Sequence, residues 1–218
     1  YVDKIKIFEG NVYTAFGTAL HETCEKLALD NSSNYEVIFK NSFEEEIKKL
    51  KDIPEDHKPL LKEMKTQGLE LASIVLYALK TKFPGYQVIS SEEQIITPID
   101  DIQIDYNFKG FLDLVLKTPD GKYHIIDWKS CSWGWDIERK TDKITTYQLT
   151  YYKNFFCKKH NIDPTKVETY FGLLKRTAKK NKIEIFRVSS GPRKIKNALN
   201  ILNKAVYNIN NKNYPKNL

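Results

Sequence analysis

Apolar positions recur along this chain with two different periods, and the change from one to the other divides it into elements. From Lys58 to Phe83, residues Leu60, Leu61, Met64, Leu69, Leu71, Ile74, Val75 and Ala78 fall close to a helical repeat, and Pro84-Gly85 ends the run. Tyr13–Leu29 and Ser42–Lys51 read as helices ahead of it. Strand-like stretches follow at Gln87–Ile96 and Ile102–Lys117. Within the second, Phe108–Lys117 forms a hairpin with Lys122–Lys129 across the turn Thr118-Pro119-Asp120-Gly121. Ser130–Lys140 reads as a loop. Thr141 or Asp142 caps a helix from Lys143 to about His160. Val167–Lys175 and Lys182–Val188 form a second hairpin with Arg176–Asn181 as its tip, and Pro192 opens a last helix to about Asn210. Helices, strands, helix, two strands, helix is an α/β order with a central mixed sheet flanked by helices. No linker or internal repeat interrupts it, so the expectation is one domain over residues 1–218 with a helical portion at about 14–83.

The first hairpin breaks its own pattern. Side chains alternate across a strand, so Phe111, Asp113 and Val115 are expected on one face, and Tyr123, Ile125, Asp127 and Lys129 on one face of its partner. Asp113 and Asp127 therefore interrupt apolar stripes. A buried carboxylate costs several kcal/mol unless it is paired or bound to metal. A metal held by Asp113 and Asp127, with Lys129 nearby, removes that cost and suits phosphodiester chemistry. The plainer reading is an exposed Asp127/Lys129 pair at a strand end.

Charge adds a second signal. Residues 153–218 hold 16 Lys and Arg against Asp163, Glu168 and Glu184, a net of +13, while residues 1–152 hold 19 against 25, a net of −6. A basic third beside an acidic remainder points to a polyanion partner, or to biased composition alone. Lys175, Arg176, Lys179 and Lys180 at the second hairpin tip are the candidate phosphate contacts. Trp133 and Trp135, in the loop after Lys129, either stack on bases or anchor the loop to the core. No run of about 18 apolar residues exists, so no membrane span is expected. Neither is a signal peptide. Cys24, Cys131 and Cys157 match no zinc or disulfide spacing, which makes a reducing, intracellular, cytoplasmic setting the expectation (the host cytoplasm if the chain is viral).

Two further pairs stand out. Gly17 costs its helix about 1 kcal/mol against Ala unless something approaches closely there. His21, four residues on, is a metal ligand or a surface histidine. Gln148 and Tyr152 share one face of their helix, either to hold a phosphate or a catalytic group, or as part of an aromatic face that fills the core.

Taken in order, Gly17 and His21, Gly110 and Asp113, Asp127 and Lys129, and Gln148 and Tyr152 form the set Gly-x-x-x-His, Gly-x-x-Asp, Asp-x-Lys and Gln-x-x-x-Tyr. That set resembles the PD-(D/E)XK nuclease superfamily, in particular its RecB-like and Cas4-like exonuclease branch, over residues 17–152. The resemblance implies a restriction-endonuclease-like core. It implies His21, Asp113, Asp127 and the Trp128 carbonyl as ligands of Mg²⁺ or Mn²⁺. Lys129 would act on the attacking water and the transition-state charge, with Gln148 and Tyr152 positioning it and the DNA strand. Glu93 is the candidate for an extra acid carried by many relatives. Branch members with an iron–sulfur cluster use four cysteines; with three, no such cluster is expected here. The expected function is metal-dependent exonucleolytic hydrolysis of DNA, on single strands or duplex ends, in recombination, repair or phage DNA processing, with a recombination or helicase partner. The competing readings are a structure-selective endonuclease on the same fold and a catalytically silent DNA-binding module.

Overall fold

The computed structural model describes residues 10–99 and 106–213. Three helices come first: α1 (Val12–Leu29), α2 (Tyr35–Lys48) and α3 (Lys58–Lys82), the last preceded by a 3-10 turn at Glu55–His57. Strands β1 (Gln87–Pro98), β2 (Asn107–Lys117) and β3 (Tyr123–Cys131) follow. After them come α4 (Ile137–Thr141), α5 (Lys143–His160), β4 (Val167–Lys175), β5 (Ile183–Val188) and α6 (Pro192–Asn210). The strands form one mixed sheet in the order β1-β2-β3-β4-β5, the expected α/β architecture.

Most differences from the sequence reading have local causes. Helix α2 begins seven residues earlier than expected because the Asn34 side chain accepts the Glu36 and Val37 amides. The stretch 130–140 is not all loop: β3 runs to Cys131, and Asp136 caps the short α4 through the Arg139 amide at 2.8 Å. The expected strand start at Ile102 lies outside the described residues. Of the two candidate caps for α5, Asp142 takes the role, accepting the Thr145 amide at 2.8 Å.

The chain divides into two compact units: residues 1–84, 128–134 and 172–185 in the first, and 85–127, 135–171 and 186–218 in the second. The first is cored by aromatic side chains of α1 and α2. Phe16 meets Phe39 and Phe43 edge-on at 6.0 Å, and Phe39 and Phe43 stack at 5.6 Å. Such pairs are worth about 0.5–1.5 kcal/mol beyond their burial. In the second unit, Ile95, Leu112, Val115 and Ile125 of the sheet pack with Phe155, Phe156 and Cys157 of α5 and Val206 of α6.

Strict alternation fails along β2. Leu112 and Val115, three residues apart, join the same core, and Phe111 is 43% exposed rather than sharing a buried face with Val115. The partner strand carries the irregularity. Its register shifts between Val88 and Ser90, and Glu92 adopts a left-handed φ of +49°. An extra residue in one strand re-aims the side chains around it.

Candidate functional site

The site in the second unit is built on β2, β3 and α5. The β2–β3 ladder pairs Leu114 with Ile126, and Asp113 and Asp127 are the next residue along each strand. Asp127 is 1% exposed, so the exposed-pair reading does not hold for it. Its Oδ1 accepts a hydrogen bond from Gln148 Nε2 at 2.9 Å, and the same amide nitrogen lies 3.0 Å from the Tyr152 hydroxyl, to which it donates. Gln148 and Tyr152 are one helical turn apart on α5, so both reach the same carboxylate region. The aromatic face of α5 does fill the core, as Phe155 and Phe156 show, but Gln148 orients an acid. Gly110 makes room for this cluster: a Cβ there would come within 3.0 Å of the Tyr152 ring.

Burial, partly offset by the Gln148 hydrogen bond, pushes the Tyr152 hydroxyl above its ordinary value of 10. The charges of Asp127, Asp113 and Glu92 push it the same way. Three carboxylates acting on one phenol mark a concentration of negative potential that suits a cation.

Glu92 was not singled out by sequence reasoning, which chose its neighbour. The Glu93 carboxylate is engaged elsewhere, with Lys159 Nζ at 2.7 Å, His160 Nε2 at 2.6 Å and Ser90 Oγ at 2.6 Å. Glu92 lies between the Ser91–Leu114 and Glu93–Leu112 pairs, the stretch of β1 that runs beside Asp113. A glutamate with positive φ inside a strand leaves no mark in the sequence.

In the first unit, Asn11 caps α1 in a reciprocal box with Thr14. The cost of Gly17 is explained: a Cβ there would sit 3.0 Å from Ser130 Oγ, so the helix passes close against the end of β3. Four residues after half-buried His21 comes buried Glu25, and the two offer ligand atoms within 4.8 Å of one another. Within this unit His21 and Glu25 are the candidate cation ligands among the described residues. Glu25 was missed, although its i, i+4 spacing from His21 was a readable signal. Trp128 is fully buried, and Lys129 is half-buried.

The expected DNA contacts separate into two kinds. Trp133 is 74% exposed, whereas Trp135 is 8% exposed and meets Phe171 and Phe186 edge-on at 5.0 and 6.1 Å, with the Arg139 guanidinium over its ring. Trp135 is thus an anchor. At the hairpin tip, Lys179 and Lys180 are exposed. Lys175 and Arg176 are instead buried: Lys175 pairs with Glu184 at 3.3 Å, and Arg176 donates to Gln67 Oε1 on α3 at 2.8 Å. Their charge is spent inside the first unit, a long-range contact that no local pattern signals.

The sequence matches the family model of the PD-(D/E)XK nuclease superfamily over residues 1–217, and the chain belongs to that superfamily. Membership makes it a nuclease by descent, of a class that acts on DNA and generally uses divalent cations. No curated protein matches it in sequence. Among solved structures it is similar to a protein of Eubacterium rectale that carries the provisional name of exonuclease. The identity is 13% and the TM-score 0.50, over 88% of this chain and 69% of that one. It is also similar to SSO0001, at 12% identity and a TM-score of 0.41, over 94% of this chain and 79% of that one. The Eubacterium rectale likeness supports the fold alone. No helix among the described residues is long and apolar enough to cross a membrane.

Proposed function

We propose that this chain is a divalent-cation-dependent DNA exonuclease, a single nuclease domain that releases 5′-phosphate and 3′-hydroxyl ends during recombination, repair or phage DNA processing. The observation that carries this reading is the hydrogen bond from Gln148 to buried Asp127 at 2.9 Å, in a chain whose family places an acid and its lysine two residues apart. Asp113, Asp127 and the Trp128 carbonyl are the proposed cation ligands, with His21 and Glu25 as further donors. Oxygen-rich donors suit Mg²⁺, and a histidine extends the set to Mn²⁺. When bound, the cation lowers the pKa of water and screens phosphate charge.

The chain's own residues do the rest. Lys129 orients the attacking water and offsets charge developing on the phosphate oxygens. Gln148 fixes the Asp127 carboxylate so that its second oxygen keeps one direction. Tyr152, with its hydroxyl held neutral, supports Gln148 and lines the path of the strand. Glu92 adds negative potential at the same place.

Asp113→Ala and Lys129→Ala test the assignment. Each is expected to lower the cleavage rate by at least about 100-fold while leaving the far-UV spectrum unchanged. Full activity in both variants would remove the site from this cluster.

A further inference from the structure

Outside the candidate site, the first unit carries an open groove along α3. Its first lobe, of about 1010 Å³, lies between α3 and the β4–β5 connection and is lined by Lys62, Glu63, Gln67, Glu70, Lys179 and Lys182, among others. A second lobe of about 520 Å³ shares Ile74, Lys179 and Lys182 with it and runs on past Tyr77, Lys82 and Lys180. The two lobes therefore adjoin along α3.

The lining is strongly one-sided in charge. Lys62, Lys82, Lys179 and Lys180 line it beside Glu63, while Lys182 and Glu70 pair with each other at 2.6 Å. Arg176, held by Gln67, forms part of the wall. Tyr77 is 75% exposed beside these lysines. A large aromatic ring kept in water next to a run of cations has the composition of a platform on which bases stack while the phosphates follow the charge.

We infer that this groove is an accessory binding track for single-stranded DNA, with Tyr77 stacking on a base and Lys82, Lys179 and Lys180 contacting phosphates. The inference rests on the nuclease reading for its choice of polyanion. A single strand fits better than a duplex because only unpaired bases offer a face to Tyr77. The sequence already pointed to Lys179 and Lys180 as phosphate contacts; the structure adds α3 and Tyr77 as the opposite wall.

Binding of fluorescein-labelled dT30 to the whole chain, followed by anisotropy in EDTA so that no strand is cut, tests this. Tyr77→Ala is expected to weaken binding roughly tenfold. Lys179→Gln with Lys180→Gln is expected to lower the slope of log affinity against log salt by about 0.7 per charge removed. In parallel, bromodeoxyuridine-substituted dT30 is photo-crosslinked to the unmodified chain, which requires no variant to fold. Crosslinks within residues 77–82 or 179–182 support the track. Unchanged affinity and slope in folded variants, or crosslinks confined to other segments, overturn it. Degradation of DNA by the unmodified chain in Mg²⁺ is scored separately: a chain that binds through the groove but cuts nothing refutes the nuclease reading and leaves the track standing.

Discussion

Gln148 Nε2 donates to Asp127 Oδ1 at 2.9 Å and so joins α5 to the acid that follows the paired residue Ile126 in the β2–β3 hairpin. The bond does two things at once. It compensates a carboxylate that is 1% exposed, and it fixes the direction in which the other oxygen of that carboxylate can bind. Gln148→Ala is expected to lower the cleavage rate by about 10- to 100-fold and to weaken Mn²⁺ binding, as loss of a partner that orients a ligand generally does. Stability should fall by about 1–3 kcal/mol. Titration of Mn²⁺ by calorimetry, alongside the rate, separates this from a purely structural role, which would leave metal affinity unchanged.

A Cβ on Gly172 of β4 would lie 2.3 Å from the Trp128 ring. Trp128 is the residue between Asp127 and Lys129, so its seat sets the main chain of the Asp-x-Lys pair. Gly172→Ala is expected to cost about 1–3 kcal/mol by overpacking and to reduce activity beyond what the lost stability explains. Thermal melts and rates measured well below the melting temperature check both parts.

The two loop tryptophans should part company. Trp135→Ala removes a buried ring and is expected to destabilise the protein by about 3–5 kcal/mol. Trp133→Ala, at an exposed position, should leave the melting temperature within a degree or two and weaken binding to single-stranded DNA. Equal thermal losses in both variants would contradict the separation.

Glu93 is nearly buried, and burial alone raises a carboxyl, but the hydrogen bonds from Lys159, Ser90 and His160 outweigh it and hold the group below its ordinary value of 4.5. A carboxyl depressed in the folded state stabilises the fold above its unfolded value, and that contribution is lost as pH falls through the folded value. Glu93→Gln is therefore expected to lower stability by about 1–3 kcal/mol at pH 7. The gap to the unmodified protein should close as pH falls below 4.5. Urea unfolding at pH 7 and at pH 3 measures it; a gap that widened in acid would refute the assignment.

How much of this was legible in the sequence depended on whether the signal was local. The hairpin, α3 and α5 were readable because period, turn residues and capping residues all lie within a few positions of one another. The Asp127–Gln148–Tyr152 cluster was reachable through motif order, since its spacing survives in sequence. What failed depended on distant partners. Lys175 and Arg176 read as a free basic tip, whereas in the fold they are buried, with Lys175 paired to Glu184 and Arg176 bonded to Gln67. Glu92 and Glu93 are adjacent acids in a strand pattern. A left-handed φ and the lysine and histidine at the end of α5 decide which of them acts on Tyr152.

Degradation of end-labelled linear DNA beside circular single-stranded DNA, in Mg²⁺, Mn²⁺ or EDTA, tests the central claim most directly. The proposed exonuclease consumes the linear DNA in either cation, spares the circles and stops in EDTA, and the position of the label gives its polarity. Cleavage of the circles would contradict an end-dependent enzyme, and intact linear DNA in both cations would contradict the nuclease itself.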